Sequence, residues 1–112
     1  MSALGIVVRN PDTNEMNGSI GLLGRRNPLS IQIVPNPGKR SDTQPDFRIY
    51  NGPNELGAGW VKVSRERGSR YVSLRIFHPM IAPFPIYANL GRAAGQDDDD
   101  VLALIVNGPA AA

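Results

Sequence analysis

Turn-forming residues interrupt this chain at short and fairly even intervals, and that spacing limits the secondary structure it can form. Glycine and proline account for 12 and 10 of the 112 residues, more than a helical bundle tolerates. The segments between the turns are too short for stable isolated helices but have the ordinary length of strands. We predict the following strands: Leu4–Arg9, Ser19–Leu23, Leu29–Val34, Phe47–Asn51, Leu56–Ser64, Arg70–Phe77, Pro85–Leu90 and Val101–Val106.

The stretch from Trp60 to Ile76 has the clearest strand periodicity. Apolar side chains alternate with polar or aromatic ones up to Ser64, and the same alternation returns from Arg70 after a turn that contains Gly68. Successive strand residues point to opposite faces, so this period predicts a hairpin with one buried face. Together with the other short strands it predicts an all-β fold: a single-domain antiparallel barrel or sandwich of seven to eight short strands. We assign residues 1–108 to this domain and residues 109–112 to a flexible tail.

Cysteine content and hydropathy narrow the class of protein. The chain has no cysteine, which excludes disulfides, thiolate zinc sites and cysteine nucleophiles. No apolar stretch approaches the roughly 20 residues that span a bilayer, and the first residues lack a basic leader. We therefore expect a cytoplasmic protein that does not enter a membrane.

No residue pattern indicates an enzyme. His78 is the only histidine, so a metal ligand or general base at this position would lack the usual partners, and we interpret it as satisfying a turn. The aspartates from Asp97 to Asp100 lack the alternating spacing and the terminal glutamate of a calcium-binding loop, which favours a solvated acidic loop. We predict no enzymatic activity, no cofactor and no metal site.

The charge of the chain is more basic than its net value of +2 indicates. Residues 1–96 contain twelve Lys or Arg but only six Asp or Glu, and ten of those cations are arginine. The planar guanidinium group suits phosphate and carboxylate, so anionic partners are favoured. The alternative is that these arginines serve only solubility.

The polar and aromatic positions of three predicted strands form the candidate binding surface. If strands 46–51, 56–64 and 70–77 are neighbours, these side chains lie on one side of one sheet, where rings can stack on bases and cations can follow phosphates. The competing interpretation packs the tryptophan and tyrosines into a second core layer beneath Arg and Lys stems. Two arginines in the turn of GLLGRR (21–26) could also touch phosphates. The predicted nucleic-acid-binding residues are Arg48, Tyr50, Trp60, Lys62, Tyr71, Arg75, Arg25 and Arg26.

Several blocks of the sequence occur in an order that resembles a known family. These blocks are PDFRIYNG (45–52), ELGAGW (55–60), VSRERGSRYVSLRI (63–76) and FPIYANL (84–90). From GSIGLL (18–23) to LALIV (102–106), the chain resembles a family of small bacterial proteins catalogued only as domain of unknown function 736. The resemblance implies a proteobacterial setting beside plasmid-transfer and integrative-element genes, and hence an accessory role on mobile DNA. The family has no assigned activity or catalytic residues, so the resemblance carries no site over to this chain.

The chain departs from that family in two places. Its segment IFHPMIAPF (76–84) replaces one that usually contains an acidic pair, and its last strand lacks the usual tryptophan. A role that depends on such an acidic pair is therefore not carried over to this chain.

These observations lead to two expectations about function. The first is a non-enzymatic accessory protein of mobile DNA that binds single- or double-stranded nucleic acid with low sequence specificity. The alternative is a protein–protein interaction module: either a homodimer, formed by strand addition or sheet stacking, that binds a partner, or an inhibitor of host-defence nucleases.

Overall fold

The computed structural model describes residues 3–22, 24, 26–66, 68–93, 95 and 97–106. In this part of the chain, eight antiparallel strands follow one another around a closed barrel, in which the first strand pairs with the last. The strands are β1 (Ala3–Arg9), β2 (Met16–Ile20), β3 (Leu29–Pro35), β4 (Phe47–Asn51), β5 (Asn54–Val63), β6 (Arg70–Ile76), β7 (Ile86–Arg92) and β8 (Val101–Val106).

The all-β prediction is confirmed, and of the two predicted architectures the structure is a barrel and not a sandwich. Each of the eight strands has a hydrogen-bonded neighbour on both sides. Closure removes the free edges that would otherwise pair with another chain. Among the residues that the structure describes, no whole strand is left unpaired for strand addition by a second chain.

The sequence-based bounds are wrong for the second strand, which starts at Met16 instead of Ser19. Met16 is buried in the barrel, and the strand pairs from this residue onward. The preceding turn ends earlier than its Asn and Gly content indicates, with Asn14 in the left-handed region at φ 63°. Gly18 belongs to the strand because a Cβ there would lie 2.0 Å from the carbonyl oxygen of Ile6. Close approach of two backbones explains this glycine better than a turn does.

Alternate residues of the strands fill the barrel interior. In β6, for example, Leu74 and Ile76 are buried whereas Arg75 between them is exposed, which confirms the predicted alternation. Burial of each side chain of this size contributes about 1.5–3 kcal/mol. The buried core consists of Val7, Met16, Ile20, Ile31, Ile33, Phe47, Ile49, Leu56, Leu74, Ile76, Ala88, Leu90 and Leu104.

The run of four aspartates lies in the loop between β7 and β8, where arginines hold it. The Arg9 guanidinium lies 2.8 Å from Asp100 Oδ1, and Arg92 Nε lies 3.7 Å from Asp99 Oδ1. Arg92 also donates a hydrogen bond to the carbonyl oxygen of Asp97 at 3.1 Å. Two arginines thus contact this loop while Asp97, Asp98 and Asp99 are exposed, so the predicted solvated acidic loop is confirmed.

His78 lies in the loop between β6 and β7 and satisfies a turn. Its Nδ1 accepts a hydrogen bond from the Met80 amide at 3.1 Å. Within the residues that the structure describes, no group of three or more His, Asp or Glu side chains is arranged to hold a metal ion. The same residues include no helix of the length and hydropathy needed to cross a bilayer. The predicted tail, residues 109–112, lies outside the described residues.

Candidate functional site

The strands β4, β5 and β6 are neighbours, and their outward residues meet in rows on the outside of the barrel. The register pairs Arg48 with Ala58, Ala58 with Arg75, and Arg75 with Tyr87 of β7. Directly opposed residues have Cβ atoms about 4.5–5.5 Å apart, so these side chains form one continuous row.

Two further rows extend this surface. Trp60 lies opposite Ser73, and Lys62 lies opposite Tyr71. We call the combined surface the outer face. It comprises Arg48, Ala58, Trp60, Lys62, Tyr71, Ser73, Arg75 and Tyr87.

Trp60 lies on the outer face and not in a core layer. Its strand neighbours in the register, Gly59 and Val61, pair with the inward residues Leu74 and Val72, whereas Trp60 points the other way. The ring is partly exposed, and its Nε1 donates a hydrogen bond to the carbonyl oxygen of a loop residue at 3.2 Å. The interpretation that packs Trp60 into a second core layer is therefore wrong, because the closed barrel has its single core on the opposite side of the sheet.

Two open depressions lie on either side of Trp60. One has a volume of about 340 Å³ and extends to Phe77, and the other has a volume of about 320 Å³ and extends to Lys62 and Tyr87. We call them the Phe77 depression and the Tyr87 depression. Trp60 and Arg75 line both of them. The outer face thus presents aromatic walls with a cation at their shared boundary.

The cations of the outer face differ in their ionic partners. Arg48 Nη1 lies 2.7 Å from Glu55 Oε1, and Arg48 Nε donates to Asn36 Oδ1 at 3.3 Å, so much of its charge is already compensated. Lys62 and Arg75 form no ion pair with any other residue that the structure describes. The uncompensated positive charge of this face therefore belongs to β5 and β6 and not to β4.

The loop between β3 and β4 is fixed against β5 beside Trp60 by Asp46. One carboxylate oxygen of Asp46 accepts from Lys39 Nζ at 2.6 Å, and the other accepts from the Val61 amide at 2.8 Å. The bond from Lys39, followed by that from Val61, holds the pKa of Asp46 below its ordinary value of 3.8 and outweighs the opposing effect of desolvation. Because the Asp46 amide also donates to Gly59, this loop forms a fixed wall for the outer face.

Not every predicted binding residue joins these depressions. Tyr50 points outward from β4 but pairs with Gln32 and Glu55. Like Arg48 and Tyr71, it lines neither depression. Arg26 lies exposed in the turn between β2 and β3, at the opposite end of the barrel from Lys62. Arg25 lies outside the described residues.

Sequence reasoning missed two aromatic residues of this surface. Tyr87 is 50% exposed and lies opposite Arg75, and Phe77 is 38% exposed at the end of β6. The signal for Tyr87 was present, because it alternates with the apolar Ile86 and Ala88 in the sequence. The sequence did not indicate that β7 pairs with β6, and this pairing places Tyr87 next to Arg75.

Comparison with known proteins identifies a family but no individual relative. The model of the family described as "Protein of unknown function (DUF736)" matches residues 4–109. No curated protein and no solved structure matches the chain.

Proposed function

Because the chain belongs to the family of unknown function DUF736, whose description names no activity, we propose a function from the outer face: non-enzymatic binding of nucleic acid with low sequence specificity. The observation that carries this proposal is that Trp60, Lys62, Arg75 and Tyr87 converge on two adjoining depressions. Aromatic rings stack on any base, and cations neutralise phosphates whatever the sequence.

Low specificity follows from the shape of this surface. Sequence-specific reading of duplex DNA usually requires an element that enters the major groove, such as a helix or a two-stranded ribbon. The outer face is the convex outside of a closed barrel, and its most exposed side chains are those of Lys62, Arg75 and Tyr87. The carboxylate of Glu55, which lines the Phe77 depression, is paired with Arg48. Rings and cations recognise the base plane and the backbone charge, which all sequences share.

The setting of this activity is also part of the proposal. An accessory role on mobile DNA rests on the genomic neighbourhood that the family resemblance implies. We propose the cytoplasm as the compartment, since a chain without cysteine has no need of an oxidising environment.

Fluorescence anisotropy tests this function directly. Labelled 20-nucleotide single-stranded DNA, single-stranded RNA and duplex DNA are titrated with the protein at several salt concentrations between about 50 and 200 mM. We expect binding to at least one of these ligands, with an affinity that falls steeply as salt rises because condensed counterions are released. Absence of binding to every ligand at the lowest salt concentration would refute the proposal.

A second candidate function, a homodimeric interaction module, is favoured by one apolar strip on β1 and β8. Ile6 and Val8 are 48% and 51% exposed, and Val8 lies opposite the outward Val101. Contiguous exposed apolar surface is typical of interaction sites. The adjoining Arg9 and Asp100 neutralise each other, so a second copy stacked across a two-fold axis would meet an apolar surface with little net charge.

Sedimentation equilibrium distinguishes this candidate from a monomeric protein. We expect a dimer at micromolar concentrations that dissociates in Val8→Asp, because the new charge would be desolvated in the interface. A monomer at all concentrations would exclude it. A nuclease inhibitor that imitates DNA is less favoured, because two of the four clustered aspartates are already paired with arginines.

A further inference from the structure

We infer that the outer face binds a single strand, with two neighbouring bases placed on either side of Trp60, one in each depression. This inference rests on the proposed function and specifies its ligand. DNA and RNA single strands share the chemistry that it requires, namely exposed base faces joined by an anionic backbone.

The aromatic side chains that line the depressions favour a single strand over a duplex. In a duplex the faces of the bases are covered by their neighbours in the stack, whereas in a single strand they are free to stack on protein rings. Trp60 stands between the two depressions, Phe77 lines the far side of one, and Tyr87 lines the other. These three rings offer stacking surfaces that a duplex cannot use.

Small residues create the two depressions. Large and small side chains alternate across β5 and β6: Ala58 lies opposite Arg75, and Ser73 lies opposite Trp60. Ala58 lines the Phe77 depression, and Ser73 lines the Tyr87 depression. A larger side chain at either position would fill one depression while leaving the rings and charges in place.

Arg75 occupies the position that a bridging phosphate requires. It lines both depressions, so its guanidinium is within reach of the backbone between a base in one and a base in the other. Arg75 is exposed and has no ion-pair partner among the residues described, which leaves its charge available. Both depressions and their shared cation therefore fit two consecutive nucleotides.

The intrinsic fluorescence of Trp60, the single tryptophan of the chain, tests this inference. The full chain is titrated with oligothymidine, oligouridine, a DNA duplex of equal length and an abasic oligonucleotide. We expect both single strands to quench Trp60, and the duplex and the abasic strand to bind more weakly without quenching it. A preference for DNA or for RNA identifies the biological ligand and supports the inference in either case.

Substitutions that fill one depression at a time provide matched variants for this test. Ser73→Leu should lower the affinity for oligothymidine about 5-fold or more, the cost of one lost stacking contact, while duplex binding stays unchanged. Ala58→Leu should do the same through the other depression. Ser30→Leu introduces the same side chain at an exposed position of β3 and should leave binding unaltered. Thermal unfolding of each variant confirms that it is folded.

Three outcomes separate this inference from the function on which it rests. If no nucleic acid binds, the proposed function itself fails. If duplex and single strand bind equally, or if binding leaves Trp60 fluorescence unchanged, the function stands and the single-strand inference is wrong. If Ser73→Leu and Ala58→Leu both fold and bind like the wild type, the depressions are not the base sites.

Discussion

Removing Lys62 and Arg75 should weaken the salt dependence of nucleic-acid binding far more than removing Arg48. Lys62 and Arg75 have no ion-pair partner among the described residues, whereas Arg48 is held 2.7 Å from Glu55. A cation that is already paired contributes less counterion release, because binding to phosphate must first break or share the existing pair. The structure thus ranks three cations that the sequence treats as equal.

The magnitude follows from the number of phosphates neutralised. Each contact with a single strand contributes about 0.7 to the slope of log affinity against log salt concentration. Loss of Lys62 and Arg75 should therefore reduce the slope by about 1.4. Between about 50 and 200 mM salt, the wild type should lose about 7-fold more affinity than the double variant does. The change for Arg48→Ala should be well below the 0.7 expected for one full contact.

Fluorescence anisotropy with labelled oligothymidine at four salt concentrations measures these slopes. Arg65→Ala serves as the charge control, since it removes an exposed arginine of the turn between β5 and β6 that lies outside the outer face and has no ion-pair partner among the described residues. Equal slope changes for Arg48→Ala and Arg75→Ala would refute the reasoning from ion pairing. An unchanged slope in the double variant would show that phosphates bind elsewhere on the barrel.

Three further predictions concern the stability of the fold that supports the site. Because the folded-state pKa of Asp46 lies below 3.8, its stabilisation is present above that pH and is lost as pH falls through the folded value. Urea unfolding should therefore show Asp46→Asn about 1 kcal/mol less stable than wild type at pH 7. This difference should shrink in acid, and a difference independent of pH would contradict the lowered pKa. A Cβ at Gly57 would lie 1.9 Å from the Arg75 carbonyl oxygen. Gly57→Ala should therefore lower the free energy of unfolding by about 1–3 kcal/mol, measured by thermal unfolding. An unchanged stability would contradict the close approach of β5 and β6. Leu74→Ala should cost about 2–5 kcal/mol in the same assay, since Leu74 is 1% exposed in the barrel core, and a smaller loss would indicate a collapsible interior.

The candidate site was only partly predictable, because charge and exposure depend on neighbours that are distant in the sequence. The alternation around Trp60 and Arg75 correctly assigned both to one face of the sheet. Nothing in the sequence indicated that Arg48 would meet Glu55 across an irregular pairing of β4 with β5. Likewise, the place of Tyr87 on the outer face could be recognised only from the register of β7 against β6.

The sequence by itself determined the strands and the direction of their side chains. Its turn residues predicted the bounds of β4 and β8 as observed, and the two-residue period of β4 predicted which of its side chains point inward, because alternation is a local property of extended backbone. Only the tertiary structure decided that the sheet closes into a barrel, since pairing β1 with β8 joins the two ends of the chain and depends on the combined tilt and stagger of all the strands. That closure gives the described part of the chain one core inside the barrel, and Trp60, which points away from it, lies partly exposed on the outside.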